Sequence, residues 1–257
     1  MTAPRWAAIP SAALGGELGF LLRVPQGRGP HPVTVLLHGR GDGARSWRPV
    51  FGELPPGVVL IPDAPWLDRA GYWVDSAHPG GRAVETAVVR DLLSWAQDEL
   101  PIIGDRAART VAGYSMGGAG AVRLGLAHPE LFGTVIALSP ALYDPEPPEG
   151  SSARESGAFG TASALFDPAV YARLGHRAAL AAHPGTPTRL LVAAGDAEPA
   201  TPGAPAALAV GAQARELVRL AAATPGIAAT FREFPGGHGW ETWRPALRWA
   251  LSAARDT

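Results

Sequence analysis

Short apolar runs alternate with helical patterns along most of the 257 residues, and this alternation constrains the fold more than any other feature. The runs are rich in β-branched residues and nearly continuous in hydrophobicity, which is typical of strands that are buried on both faces. They occupy residues 18–24, 33–37, 58–61, 110–113, 134–138, 189–194 and 229–234. The helical patterns lie at 84–100, 116–127, 206–223 and 241–254. The sequence therefore predicts an α/β fold with a mostly parallel central sheet flanked by helices.

Two segments depart from this alternation. Only residues 25–32 separate the first two apolar runs, which favours an antiparallel hairpin at the edge of the sheet. Residues 139–188 contain several prolines and a Ser- and Glu-rich stretch, followed by short helical patterns at 168–174 and 177–182. Because a long irregular segment in a compact domain often carries function, we expect a lid-like insertion near the active site. The whole chain, 1–257, is expected to form a single domain that includes this insertion.

The stretch Gly113-Tyr114-Ser115-Met116-Gly117 lies between an apolar run and a helical pattern. This context of strand, turn and helix is the one in which a G-x-S-x-G motif forms a nucleophile elbow. The sharp turn strains the serine and exposes its hydroxyl above the sheet. Glycines flank the serine because a Cβ atom there would collide with the neighbouring strand or helix. The sequence predicts Ser115 as a catalytic nucleophile, and an incidental serine in a structural turn is the alternative interpretation.

A serine hydroxyl needs a histidine base, and an acid that orients this base, to act as a nucleophile at neutral pH. In this type of fold the chain order is Ser, acid, His, so the histidine is expected after residue 115. His238 lies in the stretch Gly236-Gly237-His238-Gly239-Trp240, after the last apolar run and before the last helical pattern. A glycine-rich loop at this place can reach back over the sheet, which favours His238 over the three other histidines that follow the serine.

Two carboxylates compete for the role of the acid. The sixth apolar run ends in Gly195-Asp196-Ala197-Glu198. Glu198 lies three residues after the glycine, where hydrolases of this type commonly carry the acid, whereas Asp196 is the more usual residue type and lies nearer to the strand. We expect Glu198 to orient the base and keep Asp196 as the alternative. The other carboxylate is then expected to accept backbone hydrogen bonds within the loop.

The oxyanion of a tetrahedral intermediate needs two preorganised N–H donors. One candidate is the amide of Met116, at the start of the helix that follows the elbow, where the helix dipole also favours negative charge. The other is the amide of Arg40, in the loop after an earlier strand. Three aromatic residues near these loops are candidates either for substrate contacts or for packing at the edge of the core: Tyr114, Trp47 and Trp240.

Composition excludes several other chemistries. The chain has no cysteine, and all 22 of its Lys+Arg residues are arginine, so thiol nucleophiles, zinc–thiolate sites and lysine Schiff bases are ruled out. A net charge of −1 gives no electrostatic basis for binding nucleic acid. The histidines show no paired ligand spacing and no G-x-G-x-x-G opens a helix after the first strands, so neither a metal nor a cofactor is expected. Without a signal peptide or a run of about 18 apolar residues, no membrane contact is expected and the predicted location is cytoplasmic.

Several motifs together resemble one known family. They are His38-Gly39-Arg40-Gly41, Ile61-Pro62-Asp63-Ala64, Gly71-Tyr72-Trp73-Val74-Asp75, Gly113-Tyr114-Ser115-Met116-Gly117-Gly118, the run from Pro129-Glu130-Leu131-Phe132 to Leu138-Ser139, and Gly236-Gly237-His238-Gly239-Trp240 with Trp243. This set resembles the esterase family of α/β-hydrolases, which includes antigen 85 mycolyltransferases, S-formylglutathione hydrolases, and feruloyl and enterochelin esterases. The resemblance implies an α/β-hydrolase fold and the same catalytic roles for Ser115, His238, Met116 and Arg40. The usual Gly-x-x-Asp of the family appears here with glutamate at its last position.

The expected function is hydrolysis of a small-molecule carboxylic ester through an acyl-enzyme intermediate on the serine. An acyltransferase with the same three residues, in which an alcohol replaces water, is one alternative. A relative that keeps the fold and binds a ligand without catalysis is the other. Neither the identity of the ester nor the oligomeric state follows from the sequence.

Overall fold

The computed structural model describes residues 3–198 and 209–255, and within them eight strands form one sheet. The strands are β1 (Arg5–Ser11), β2 (Gly16–Arg23), β3 (Val33–Leu37), β4 (Val58–Pro62), β5 (Arg109–Tyr114), β6 (Thr134–Leu138), β7 (Thr188–Gly195) and β8 (Ile227–Phe234). Their order across the sheet is β1-β2-β4-β3-β5-β6-β7-β8. Every pair from β4 to β8 is parallel, which confirms the predicted mostly parallel α/β sheet.

The predicted hairpin of the first two apolar runs is wrong. The strands β2 and β3 are not neighbours, because β4 lies between them and pairs with β2 in antiparallel orientation. The antiparallel hairpin is formed instead by β1 and β2, and the sequence prediction missed β1 altogether. The short connection between β2 and β3 did not determine strand pairing, since their nonpolar side chains can be buried equally well against other strands.

One short α-helix, Ser152–Glu155, was not predicted, whereas the other α-helices lie close to their predicted positions. The α-helices are α1 (Val84–Thr86), which continues through π-helical turns at Ala87–Leu92 into α2 (Leu93–Glu99), then α3 (Met116–Ala127), α4 (Ser152–Glu155), α5 (Pro168–Leu174), α6 (His176–Ala181), α7 (Val210–Ala222) and α8 (Trp240–Ala253). The predicted start of the seventh helix at residue 206 lies outside the described residues. In the described part of the chain no helix combines the length and the apolar character needed to cross a bilayer.

Apolar side chains cover both faces of the sheet. Because successive residues of a strand point to opposite faces, Val111 of β5 joins the core under α3 while its neighbour Ala112 joins the core under α8. The central strands β3, β4 and β6 are buried along their whole length. Two layers of helices therefore enclose the sheet, and the loops that follow the carboxyl ends of the parallel strands meet at one edge, where ligands bind in open α/β sheets.

Candidate active site

Ser115 lies in a tight turn between β5 and α3. Its backbone is left-handed, with φ 54° and ψ −121°, a conformation that costs free energy for a residue with a Cβ atom. The turn is held by a hydrogen bond from the Ser115 amide to the Leu138 carbonyl at 2.8 Å. Glycine is required around it, since a Cβ atom on Gly113 would lie 2.1 Å from the Gly117 carbonyl oxygen and one on Gly117 would lie 2.2 Å from the Leu37 carbonyl oxygen. The predicted elbow geometry is therefore present at this serine.

His238 lies on the loop between β8 and α8, and its ring contacts the elbow. The Nε2 atom of His238 is 2.8 Å from the Oγ atom of Ser115, and its Nδ1 atom is 2.6 Å from Oε2 of Glu198. A carboxylate can only accept a hydrogen bond, so Nδ1 carries the proton and Nε2 is the free acceptor that faces the serine. The ring of Trp243 packs edge-on against this imidazole with the centroids 5.1 Å apart.

Glu198 is held by three donors. Besides His238, the hydroxyl of Ser139 and the amide of Gly195, at 3.0 Å, both donate to its Oε1 atom. The side chain is only 3% exposed. Burial by itself raises the pKa of this carboxyl group, but the hydrogen bonds from His238, Ser139 and Gly195 outweigh burial and hold the pKa below its ordinary value. The group is therefore a carboxylate at neutral pH.

Asp196 has a different place. Its Oδ1 atom accepts a hydrogen bond from the amide of Gly236 at 2.9 Å. Next to this contact, the amide of Ala197 donates to the Gly236 carbonyl, also at 2.9 Å. The loop that carries Glu198 and the loop that carries His238 are thus joined by hydrogen bonds, and Asp196 supplies one of them. Of the two candidate acids, the structure brings only Glu198 to the imidazole.

The amides of Met116 and Arg40 lie at the two places expected of oxyanion donors. Met116 is the first residue of α3, and Arg40 follows β3 by three residues. Within the part of the chain that the structure describes, neither N–H donates a hydrogen bond to a protein group. Neither amide therefore has a protein acceptor among the described residues, and their role as oxyanion donors stays a prediction.

Two of the three aromatic candidates lie behind the surface of the site. Trp47 and Tyr114 are 0% and 1% exposed, and their rings contact each other. The Tyr114 hydroxyl donates to Asp42 at 2.7 Å and lies 2.6 Å from the Ser46 hydroxyl, so it braces the loop after β3. The structure does not place these two rings where a ligand would touch them. Trp240 packs edge-on against both and is partly exposed, so it alone of the three offers surface to a ligand.

A cavity of about 440 Å³ opens beside Arg40. Ser152 and Glu155 of α4 also line it, together with Ser156. Since α4 belongs to residues 139–188, this segment lines the cavity beside Arg40. Among the described residues no group of three or more His, Asp and Glu side chains converges as a metal site would.

Sequence reasoning missed the role of Ser139 and Trp243. Ser139 is fully buried at the end of β6, and its Oγ atom accepts a hydrogen bond from Trp243 Nε1 at 2.9 Å while donating to Glu198. Ser139 has a left-handed backbone, with a φ of 45°. The sequence carried a signal for both residues only as parts of the family motifs, because their contact joins β6, the loop after β7 and α8.

Comparisons with known proteins identify the family and the fold. A family model described as "Putative esterase" matches residues 64–253. The 2-hydroxy-6-oxo-6-phenylhexa-2,4-dienoate hydrolase of Burkholderia cepacia is 33% identical over 132 residues, which are 48% of this chain and 43% of that protein. Among solved structures, a ferulic acid esterase superposes with a TM-score of 0.71 at 23% identity, covering 98% of this chain and 96% of the other. MPT51 of Mycobacterium tuberculosis superposes with a TM-score of 0.74 at 20% identity, covering 99% and 98%.

The sheet order and these structural neighbours define the chain as a protein of the α/β-hydrolase fold. The match of the family model over well more than half of the residues shows that the chain belongs to the esterase family. The curated relatives are matched over less than half of their own length, 43% in the case above.

Proposed function

We propose that this protein is a serine esterase that hydrolyses a small-molecule carboxylic ester through an acyl-enzyme on Ser115. The observation that carries the proposal is the position of His238, which lies 2.8 Å from the serine hydroxyl and 2.6 Å from the carboxylate of Glu198. A base within hydrogen-bond distance of a serine, with a third group that fixes the tautomer of the base, is the arrangement that makes a serine nucleophilic.

In the proposed reaction Nε2 of His238 takes the proton of Ser115 as the serine Oγ atom attacks the ester carbonyl carbon. The carbonyl oxygen becomes an alkoxide, and the amides of Met116 and Arg40 donate hydrogen bonds to it. The intermediate collapses when His238 returns the proton to the leaving alcohol, which leaves the acyl group on the serine. Water then attacks this acyl-enzyme, His238 takes the proton of the water, and the serine recovers it as the carboxylic acid departs. The Nδ1 proton stays on His238 and is donated to Glu198 in a hydrogen bond throughout.

Two features of the site support the assignment of the oxyanion donors. Both amides lack a protein acceptor among the described residues, and the Met116 amide lies at the N-terminus of the twelve-residue helix α3, where the dipole favours negative charge. We further propose that Trp240 contacts the substrate and that residues 139–188 cover the cleft, since this segment lines the cavity beside Arg40.

Labelling with a fluorophosphonate probe tests the proposal directly. The purified protein is expected to form an adduct on the peptide that contains Ser115 and to hydrolyse short p-nitrophenyl esters, and Ser115→Ala is expected to do neither. Ser94→Ala is a matched control at a serine of α2, away from the elbow, and should keep both properties. If the wild-type protein shows neither adduct nor turnover, the serine is not activated and the chain binds ligands without catalysis.

The same assay separates hydrolysis from acyl transfer. Adding a simple alcohol to the reaction allows the acyl-enzyme to partition between water and the alcohol. A serine esterase is expected to release mainly the free acid. A product that is mainly the new ester at low alcohol concentration would assign the chain to the acyltransferases instead.

A further inference from the structure

The loop after β3 carries the Arg40 amide, and oxyanion stabilisation depends on how rigidly this amide is held. The loop does not belong to a helix or strand, so its position must come from tertiary contacts. On one side His38 anchors its start: burial lowers the pKa of this histidine, and its neutral ring lies with Nδ1 2.9 Å from the Gly39 carbonyl oxygen. The Nε2 atom of the same ring accepts the amide of Ala64 at 3.2 Å.

Arg69 holds the same loop at two points beyond Arg40. The amide of Gly41 donates to the Arg69 carbonyl at 3.0 Å, and Nη1 of Arg69 donates to the Asp42 carbonyl at 3.1 Å. Arg69 therefore accepts a hydrogen bond from the amide of Gly41, the residue after Arg40, and donates one to the carbonyl of Asp42. These two contacts fix the orientation of the peptide groups on the C-terminal side of the Arg40 amide.

Asp63, the residue after β4, binds both Arg69 and the backbone that follows the loop. Its Oδ1 atom accepts from Arg69 Nη1 at 2.9 Å and from the amide of Ala44 at 2.8 Å. The packing is close, because a Cβ atom on Gly43 would lie 2.6 Å from this Oδ1 atom and 2.8 Å from Nη1. The Asp63 side chain is 15% exposed and the Arg69 side chain 34%, so the pair is partly buried. Asp63 precedes the serine in the chain, and its place at the loop gives it a role other than that of the catalytic acid.

The backbone around Arg69 is strained. Leu67, Asp68 and Arg69 all have left-handed backbone angles, with φ of 54°, 50° and 59°. Consecutive residues of this kind cost free energy and persist only where surrounding contacts hold them. Two hydrogen bonds within the turn help to hold it, from the Arg69 amide to the Trp66 carbonyl at 3.1 Å and from the Ala70 amide to the Leu67 carbonyl at 2.9 Å. The contacts of Arg69 with the loop after β3 add to them.

We propose that Arg69 and Asp63 are positioning residues that hold the Arg40 amide in the oxyanion site. The inference rests on the proposed function, in which that amide donates to the oxyanion. Loss of a whole oxyanion donor lowers kcat by about 10²–10³-fold. Displacement of the donor without its removal should give a smaller effect, and we expect Arg69→Met to lower kcat by about 10- to 100-fold with little change in KM.

The experiment compares Arg69→Met, Arg69→Lys and Asp63→Ala with the control Arg106→Met. Arg106 also braces backbone carbonyls, those of Phe132 at 2.7 Å and Pro187 at 2.9 Å, but at the opposite end of the parallel strands. For each variant kcat and KM are measured with a short p-nitrophenyl ester, together with thermal denaturation. Inhibition by a trifluoromethyl ketone, whose adduct with serine carries an oxyanion, is compared with inhibition by an uncharged ester analogue that forms no adduct.

The expected result is a fall in kcat for Arg69→Met and a smaller fall for Arg69→Lys, which keeps the positive charge and a group that can donate hydrogen bonds. Trifluoromethyl ketone affinity should fall in parallel with kcat, while affinity for the unreactive analogue stays within about threefold. Arg106→Met should lower thermal stability and leave kcat within about threefold. Asp63→Ala, which removes the acceptor of both Arg69 Nη1 and the Ala44 amide, should also lower kcat with little change in KM. The lysine variant and Asp63→Ala carry the test if Arg69→Met does not fold.

A kcat for the Arg69 variants as high as that of Arg106→Met would overturn the inference, and so would an equal loss of affinity for both inhibitors. A wild-type protein without turnover and without a fluorophosphonate adduct would overturn the proposed function itself. The two failures are thus distinguishable, because only the second one affects the wild-type chain.

Discussion

Replacing Glu198 by glutamine tests the role of this carboxylate with little change in shape. In the structure Oε2 accepts from His238, and Oε1 accepts from both Ser139 and the Gly195 amide. A glutamine amide has one acceptor oxygen and one NH₂ donor, so it cannot accept from all three groups. The oxygen is expected to stay on the side with two donors, and the NH₂ group then faces the imidazole.

An NH₂ group against Nδ1 of His238 forces the tautomer in which Nδ1 accepts and Nε2 carries the proton. Nε2 then donates to Ser115 and cannot take the serine proton. In a Ser-His-Asp triad the corresponding amide substitution lowers kcat by about 10⁴ for this reason. We expect Glu198→Gln to lower kcat by about 10³–10⁴-fold, which corresponds to about 4–5.5 kcal/mol of transition-state stabilisation.

Asp196→Asn is the matched control in the same loop. The side-chain oxygen of asparagine can still accept the Gly236 amide that Asp196 accepts at 2.9 Å. This substitution removes the same charge two residues away and is expected to change kcat by less than about threefold. The comparison therefore separates loss of the acid from loss of loop structure or of negative charge in general.

The assay measures initial rates with p-nitrophenyl acetate at pH 7.5 for the wild type and both variants, with thermal denaturation as the test of folding. A large loss from Glu198→Gln with nearly full activity in Asp196→Asn is the expected result. Equal losses from the two variants, or a larger loss from Asp196→Asn, would refute the reasoning from the hydrogen bonds of Glu198.

Three further substitutions follow from individual contacts. Ser139→Ala removes one donor to the acid and leaves the buried Trp243 Nε1 without its acceptor, so kcat should fall by roughly tenfold and unfolding free energy by about 1–3 kcal/mol, measured by rates and urea denaturation. His176 is buried, and desolvation lowers its pKa to about 4. The unfolded chain therefore binds the proton first as the pH falls from 6.5 to 4. Over this range the unfolding free energy of the wild type should fall by roughly 3 kcal/mol relative to that of His176→Asn, measured by the same urea denaturation. Gly117→Ala places Cβ against the Leu37 carbonyl oxygen and should destabilise the fold by about 3 kcal/mol or more in the same denaturation assay.

Much of the fold was predictable because its signals are local. The bounds of β3, β6, α3 and α5 agree with the sequence prediction at both ends, since apolar runs and helical periodicity depend on neighbouring residues. Strand pairing was less predictable. The connection between β2 and β3 is short, yet β2 pairs with β1 and β4, because the order of strands depends on which distant faces are buried together.

The sequence by itself determined the class of fold and the position of Ser115, because a nucleophile elbow needs its glycines within a few residues of the serine. It also singled out His238, the one histidine on a glycine-rich loop between the last strand and the last helix. Only the tertiary structure decided which carboxylate lies against His238, since the choice depends on donors from Ser139 and Gly195 that meet in space and not along the chain. The tertiary structure also decided the contacts of Arg69 with the loop after β3. These contacts join the segments that follow β3 and β4, which are close in space because the two strands are neighbours in the sheet.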